Sequence, residues 1–113
     1  ELTKYLAPLM TAILDDGQTT PAESSLARNY PNPFNATTMI PFTLSRDGDI
    51  DLSIYDLTGQ RVKILQSGFS RAGTHRLAWD GSDQDGRDVA SGTYVARLTL
   101  SASVLSHKLL LLK

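Results

Sequence analysis

The chain has 113 residues, 41% hydrophobic, 20% charged and 7% aromatic, enough for one domain with a modest core and too few for a large multi-substrate active site. Eleven basic against twelve acidic residues leave a net charge of −1, which gives no general footprint for nucleic acid or anionic lipid. The lack of cysteine excludes disulfides, thiolate catalysis and cysteine-ligated metals, so the fold must be held by packing alone.

Leu2, Tyr5, Leu6, Leu9, Met10, Ile13 and Leu14 recur at three- and four-residue spacing and predict an amphipathic helix ending at Asp15-Asp16-Gly17. Pro8 requires that helix to start near Ala7 or to kink. The run is too short and too polar to cross a bilayer, and it has neither the basic n-region nor the cleavage site of a signal peptide. Residues 1–16 are therefore expected to close a preceding domain or to bind a partner as a helix. With Glu1 at its start, the chain is expected to be a fragment of something longer. Residues 17–28, polar and without periodicity, predict a linker.

From Asn29 the period switches to two, and residues 29–113 predict a β-sandwich domain. Thr38, Ile40, Phe42 and Leu44 alternate with Met39, Pro41 and Thr43, and Pro41 points this strand to an edge. Ile50, Leu52 and Ile54 form the next apolar face, Asp56-Leu57-Thr58-Gly59 a turn, and Val62 and Ile64 the continuation beyond it. His75, Leu77 and Trp79 share one side of a strand opened by Ala72-Gly73. Ser91-Gly92 turns into Tyr94, Ala96, Leu98 and Leu100, and Val104 to Leu112 is an almost continuous apolar run. Turns every 8–12 residues and no helix-length pattern after Asn29 predict an all-β fold. Its architecture is an antiparallel immunoglobulin-like sandwich of about seven strands.

Nothing in the chain has the pattern of a catalytic centre. His75 and His107 both read as packed or rim histidines in strands, and no G-x-S-x-G elbow or phosphate-cradling glycine loop occurs. Asp80, Asp83, Asp85 and Asp88 are interleaved with Gly81 and Gly86. That is the composition of Asx-turns and also of a weak calcium loop, without the glutamate an EF-hand requires. Tyr30, Phe34 and Tyr55 are candidates for stacking on sugars, and Phe34 equally for plugging one end of the sandwich. Asp88 is the last acid, and Lys108-Leu109-Leu110-Leu111-Leu112-Lys113 brackets four leucines with two lysines. Such a run suits a strand buried on both faces, and also an edge strand captured by a receptor through strand addition.

Several ordered motifs carry a family resemblance. Asn29-Tyr30-Pro31-Asn32-Pro33-Phe34-Asn35 with Thr37, Thr38 and Ile40 resembles the opening YPNPFNPxTxI of a bacterial family. Ile54-Tyr55-Asp56-Leu57-Thr58-Gly59-Gln60-Arg61-Val62, Gly73-Thr74-His75, Trp79-Asp80-Gly81, Asp85-Gly86, Gly92-Thr93-Tyr94 and Lys108 to Lys113 continue the match. The pattern is that of the C-terminal sorting domain of type IX secretion cargo, related to the immunoglobulin-like domain of flagellar hook-capping proteins. Ala36, where many members have proline, and Pro41 depart from it.

The resemblance implies a non-catalytic label that directs a fused N-terminal cargo across the outer membrane of a Gram-negative bacterium, for surface attachment or release. Its implied partners are the type IX outer-membrane translocon and a sortase-like protease cutting between Gln18 and Arg28. No nucleic acid, no membrane insertion and no cofactor are expected, apart from weak calcium binding at the Asp80–Asp88 loop. Gly92, Tyr94, Val95, Lys108, Leu109, Leu110, Leu111, Leu112 and Lys113 are the implied recognition residues, with Lys113 expected to be the true carboxyl terminus. An accessory binding module for carbohydrate or protein, and a structural spacer or assembly domain, are the alternatives.

Overall fold

Alternating side chains drive the chain into two antiparallel sheets in the computed structural model, which describes residues 23–113. One sheet holds β1 (Ser25–Leu26), β2 (Thr38–Leu44) and β5 (Gly73–Trp79) in the order β1-β2-β5. The other holds β3 (Gly48–Asp56), β4 (Arg61–Ser70), β6 (Gly92–Thr99) and β7 (Val104–Leu111) in the order β4-β3-β6-β7. The described residues thus form the expected seven-stranded immunoglobulin-like β-sandwich. The helix expected over residues 1–16 lies outside the described residues, as does most of the stretch expected as a linker. The end of that stretch is β1, where Ser25 and Leu26 pair with Thr43 and Phe42.

The core lies between the sheets. Ile40, Phe42 and Leu44 face Ile50, Leu52, Ile54, Ala96 and Leu98, all buried, because a pleated strand sends every second side chain to one side. One end is closed by an aromatic cluster. Trp79 lies 5.6 Å from Phe34 and 5.3 Å from Tyr94, tilted and edge-on respectively, the geometries that ring quadrupoles favour. Each polar atom of the cluster is used: the Trp79 Nε1–H donates to the Ser82 carbonyl at 2.9 Å and the Tyr94 hydroxyl to the Ala90 carbonyl at 2.6 Å. The second bond is a tyrosine corner, a device of immunoglobulin-like sandwiches.

Three local expectations are corrected. Pro41 does not mark an edge, since β2 lies between β1 and β5. The Pro41 carbonyl accepts from Ala27, so the missing N–H falls on the side of two-residue β1, where little pairing is lost. In β4 the register slips twice against β3, leaving Val62 and Leu65 as the extra residues. Bulges re-aim side chains, and here Leu65 rather than Ile64 joins Val62 against the core. Finally, β7 is not buried on both faces. It is the edge of its sheet, with Leu109 and Leu111 inward, Leu110 half-buried, and Val104 and Leu112 57% and 50% exposed.

Candidate functional site

The residues singled out near the carboxyl end do meet, because β6 and β7 pair in continuous register. Gly92 lies opposite Leu111, Tyr94 opposite Leu109 and Val95 opposite Lys108. The pairing divides them between two roles. Tyr94, Leu109 and Leu111 are buried and build the core, while Val95 and Lys108 stand on the outer face of the sheet. Burial raises the Tyr94 phenol above its ordinary value, which keeps the corner bond protonated into alkaline solution. Gly92 has φ of +154°, a conformation rarely open to other residues. Lys113 is tied at both ends: its N–H donates to the Ser91 hydroxyl at 2.9 Å, and its ammonium lies 4.0 Å from Asp88.

The outer edge of β7 is only half open. The segment carrying Phe34 runs parallel to β7, and its N–H donates to the Leu110 carbonyl at 3.0 Å. Leu112 donates back to the Phe34 carbonyl at 2.9 Å, and Leu110 N–H to the Asn32 side chain at 3.1 Å. Asn32 and Phe34 therefore clip the carboxyl end of the strand, the part expected to be captured by a receptor. The segment itself is tied to β2: Asn29 donates to Thr38 at 2.9 Å, and the Thr38 hydroxyl to the Pro31 carbonyl at 2.8 Å.

The open part of the edge faces a groove of about 520 Å3 lined by Arg28, Asn32, Val95, Ser106, His107 and Lys108. Neighbouring it on the same sheet face, the Arg97 guanidinium stacks 4.3 Å from the Tyr55 ring centre and Arg61 lies 5.8 Å away. Arg61 also reaches Asp51 at 4.0 Å. Tyr55, a candidate for stacking on sugars, is thus already covered by arginine, and Phe34 is buried in the core. Among the described residues, the exposed aromatics Tyr30, bridged to Met39 of β2, and Phe69, in β4, belong to different sheets. Sequence reasoning missed Arg28 and Arg97; the first sits in a stretch without periodicity, and the second becomes notable only once the β3–β6 register sets it opposite Ser53, diagonal to Tyr55.

Two of the four aspartates of the 80–88 loop, Asp80 and Asp83, hold the loop's own turns, while Asp88 reaches Lys113. Asp80 accepts from the Ser82 N–H and hydroxyl, and Asp83 from the N–H groups of Asp85 and Arg87 at 2.9 Å each. Among the described residues, no three acids or histidines converge as a metal site. His75 stacks on Phe42 at 5.2 Å and donates from Nε2 to the Arg71 carbonyl at 2.7 Å, the packed role expected of it. His107 is half-buried in β7.

Two of these turns store acid sensitivity. The Thr58 hydroxyl, with the Gln60 and Thr58 amides, holds the Asp56 carboxyl below the usual carboxylate range. The Ser82 hydroxyl, aided by Lys63 at 4.0 Å, does the same for Asp80. A carboxyl depressed in the folded state contributes stability above its unfolded pKa and loses it as pH falls through the folded one. Stability is therefore expected to fall below about pH 4. Urea unfolding across the acid range should show a shallower fall for Asp56→Asn and Asp80→Asn. An acid limb identical to that of the parent chain would refute the assignment.

Residues 32–103, well over half of the chain, match the family described as the FlgD Ig-like domain. The chain belongs to the FlgD immunoglobulin-like domain family. The basal-body rod modification protein FlgD of Salmonella typhimurium is 32% identical over 94 residues, covering 80% of this chain and 40% of that protein. The Salmonella typhi protein of the same name matches equally, so the chain spans about 40% of the length of these curated relatives. Among solved structures, FlgD from Xanthomonas campestris, described in terms of hook capping essential for flagellar assembly, is 27% identical. The match covers 78% of this chain and 66% of that one, with a TM-score of 0.50. PorZ, a surface component of the type IX secretion system of Porphyromonas gingivalis, is 20% identical over 76% of this chain and 11% of its own, with a TM-score of 0.54. At that identity the likeness to PorZ shows the fold alone.

Membership of the FlgD Ig-like family overturns the cargo-sorting expectation. The relatives are flagellar, so a sorting label with a fused cargo, a type IX translocon and a sortase-like protease as partners does not describe this domain. Nor does delivery to the cell surface across the outer membrane, or service as an accessory module or spacer of an extracellular enzyme. The physical reason lies in what the shared motifs do. Phe34 plugs the core, Asp56 makes a turn, Trp79 packs the closed end and Tyr94 makes the corner. These residues specify a sandwich, and a sandwich says nothing of destination.

Proposed function

We propose that this FlgD Ig-like domain is a non-catalytic assembly module of a hook-capping protein, presenting a rigid sandwich to the protein subunits of a growing flagellar hook or rod. The observation that carries this reading is the match of residues 32–103 to the FlgD Ig-like family, joined by 32% identity to the basal-body rod modification proteins. The chemistry of the described residues supports it. Asp80, Asp83, His75 and the Tyr94 hydroxyl are committed to turns and packing, and none of them pairs as a nucleophile with an adjacent base.

The test is genetic and structural. In the host that encodes the chain, deletion of residues 23–113 from the full-length protein should abolish hooks seen by electron microscopy, and the restored gene should return them. Hooks of normal number and length in the deletion strain would overturn the proposal. Immunoblotting shows whether the shortened protein persists. Where it does not, the charge-reversal pair Arg97→Glu and Arg61→Glu on the exposed sheet face should reduce hook number while the protein persists.

A further inference from the structure

We propose that the groove between the Arg28–Asn32 segment and β7 binds an extended acidic peptide, which adds as a strand to the open half of the β7 edge. This goes beyond the hook-capping reading, because peptide binding is measured without any flagellar component and stands or falls by itself.

The first support is the backbone. Leu110 and Leu112 turn their N–H groups away from β6, toward Asn32 and Phe34. The β6–β7 register runs without a slip from Gly92↔Leu111 to Thr99↔Val104. In a continuous antiparallel ladder, outward-facing residues recur every second position. Val104, Ser106 and Lys108 therefore point their N–H and C=O groups outward as well. Among the described residues, neither Ser106 nor Lys108 main chain has a partner on that side. The open stretch extends for roughly 13 Å at about 3.3 Å per residue. The clip at Asn32 and Phe34 stops it at Leu110, so the guest strand has a defined end.

The second support is charge. Arg28 and Lys108 line the groove and no carboxylate does. Both are exposed, and among the described residues neither makes an ion pair. Arg97, opposite Ser106 across the ladder, adds a third positive group on the adjoining face. Alternating main-chain donors and acceptors at this edge are matched by another polypeptide and not by a nucleic acid backbone. The positive rim selects an acidic one and sets its orientation. A second copy of the chain fits poorly: Asp80 and Asp83 of its acidic loop are held in that loop's own turns, and its open β7 edge carries the same Lys108.

The probe is a fluorescently labelled peptide alternating valine and glutamate, titrated with the full chain at low salt. Saturable binding is expected, with slowed amide exchange at Ser106 and Lys108. Arg28→Glu combined with Lys108→Glu should weaken it by about tenfold or more. Ser106→Pro, which removes an outward donor and leaves every charge in place, should weaken it too. Unfolding midpoints equal to that of the parent chain show that these exposed substitutions leave the fold intact. No binding, or equal binding of a valine–lysine peptide, overturns the proposal. Charge-dependent binding without protection of the Ser106 and Lys108 amides also overturns it, as it reduces the groove to a surface charge. Self-association that depends on Lys108 would assign the edge to a second copy. A rise in peptide affinity in Asp15→Asn with Asp16→Asn would assign it to the chain's own preceding residues. Either result overturns the proposal.

Discussion

Trp79→Ala is expected to destabilise the domain by about 3–5 kcal/mol, the cost of deleting a buried aromatic ring and leaving its cavity. Trp79 is 1% exposed and forms the shared wall between Phe34 and Tyr94. Its removal also leaves the Ser82 carbonyl without its donor. Against a total stability of about 5–15 kcal/mol for a domain, that loss lowers the midpoint of thermal unfolding by roughly 15–30 °C. Differential scanning calorimetry checks it. Trp79→Phe, which keeps a ring and loses only the Nε1–H bond, should cost clearly less. Equal losses for the two substitutions would show that the hydrogen bond, and not the packing, governs this end of the core.

Phe34→Ala is expected to cost about 3 kcal/mol or more and to have a local signature that Trp79→Ala lacks. Phe34 is 3% exposed, and its main chain both donates to Leu110 and accepts from Leu112. Truncating the ring frees the segment that covers the β7 edge. Amide exchange at Leu110 and Leu112 should therefore accelerate by more than global destabilisation explains, when both are compared with an inward amide of β3. Exchange that rises equally everywhere would show that the main-chain clip holds without the ring.

Much of the sandwich was legible because burial repeats every second residue in β2, β5 and β6. Where the repeat is interrupted, the sequence was silent. The bulges that exchange Ile64 for Leu65 depend on pairing with β3, and pairing is not a property of one strand. The run from Leu109 to Leu112 reads as buried on both faces because all four residues are leucine, yet only Leu109 and Leu111 turn inward. The edge status of β7 and the clip by Asn32 and Phe34 join residues some 78 positions apart, a contact no local pattern encodes. The candidate site was legible in part for the same reason. Lys108 stood out as a base in an acid-free stretch, whereas Arg28 gained its meaning only when the fold set it across a groove from Lys108. Function was misread because the family motifs are folding instructions, shared by domains with different employment.

The clip has a mechanical meaning as well. The Phe34 segment and β7 run in the same direction, so tension drawing the amino-terminal side of the domain away from its carboxyl end slides one along the other. The bonds from Phe34 to Leu110, from Leu112 to Phe34 and from Leu110 to Asn32 are then loaded in shear, sharing the force instead of opening one after another. Along that axis the domain resists as a latch, while the uncovered upper half of β7 could be peeled at far lower force.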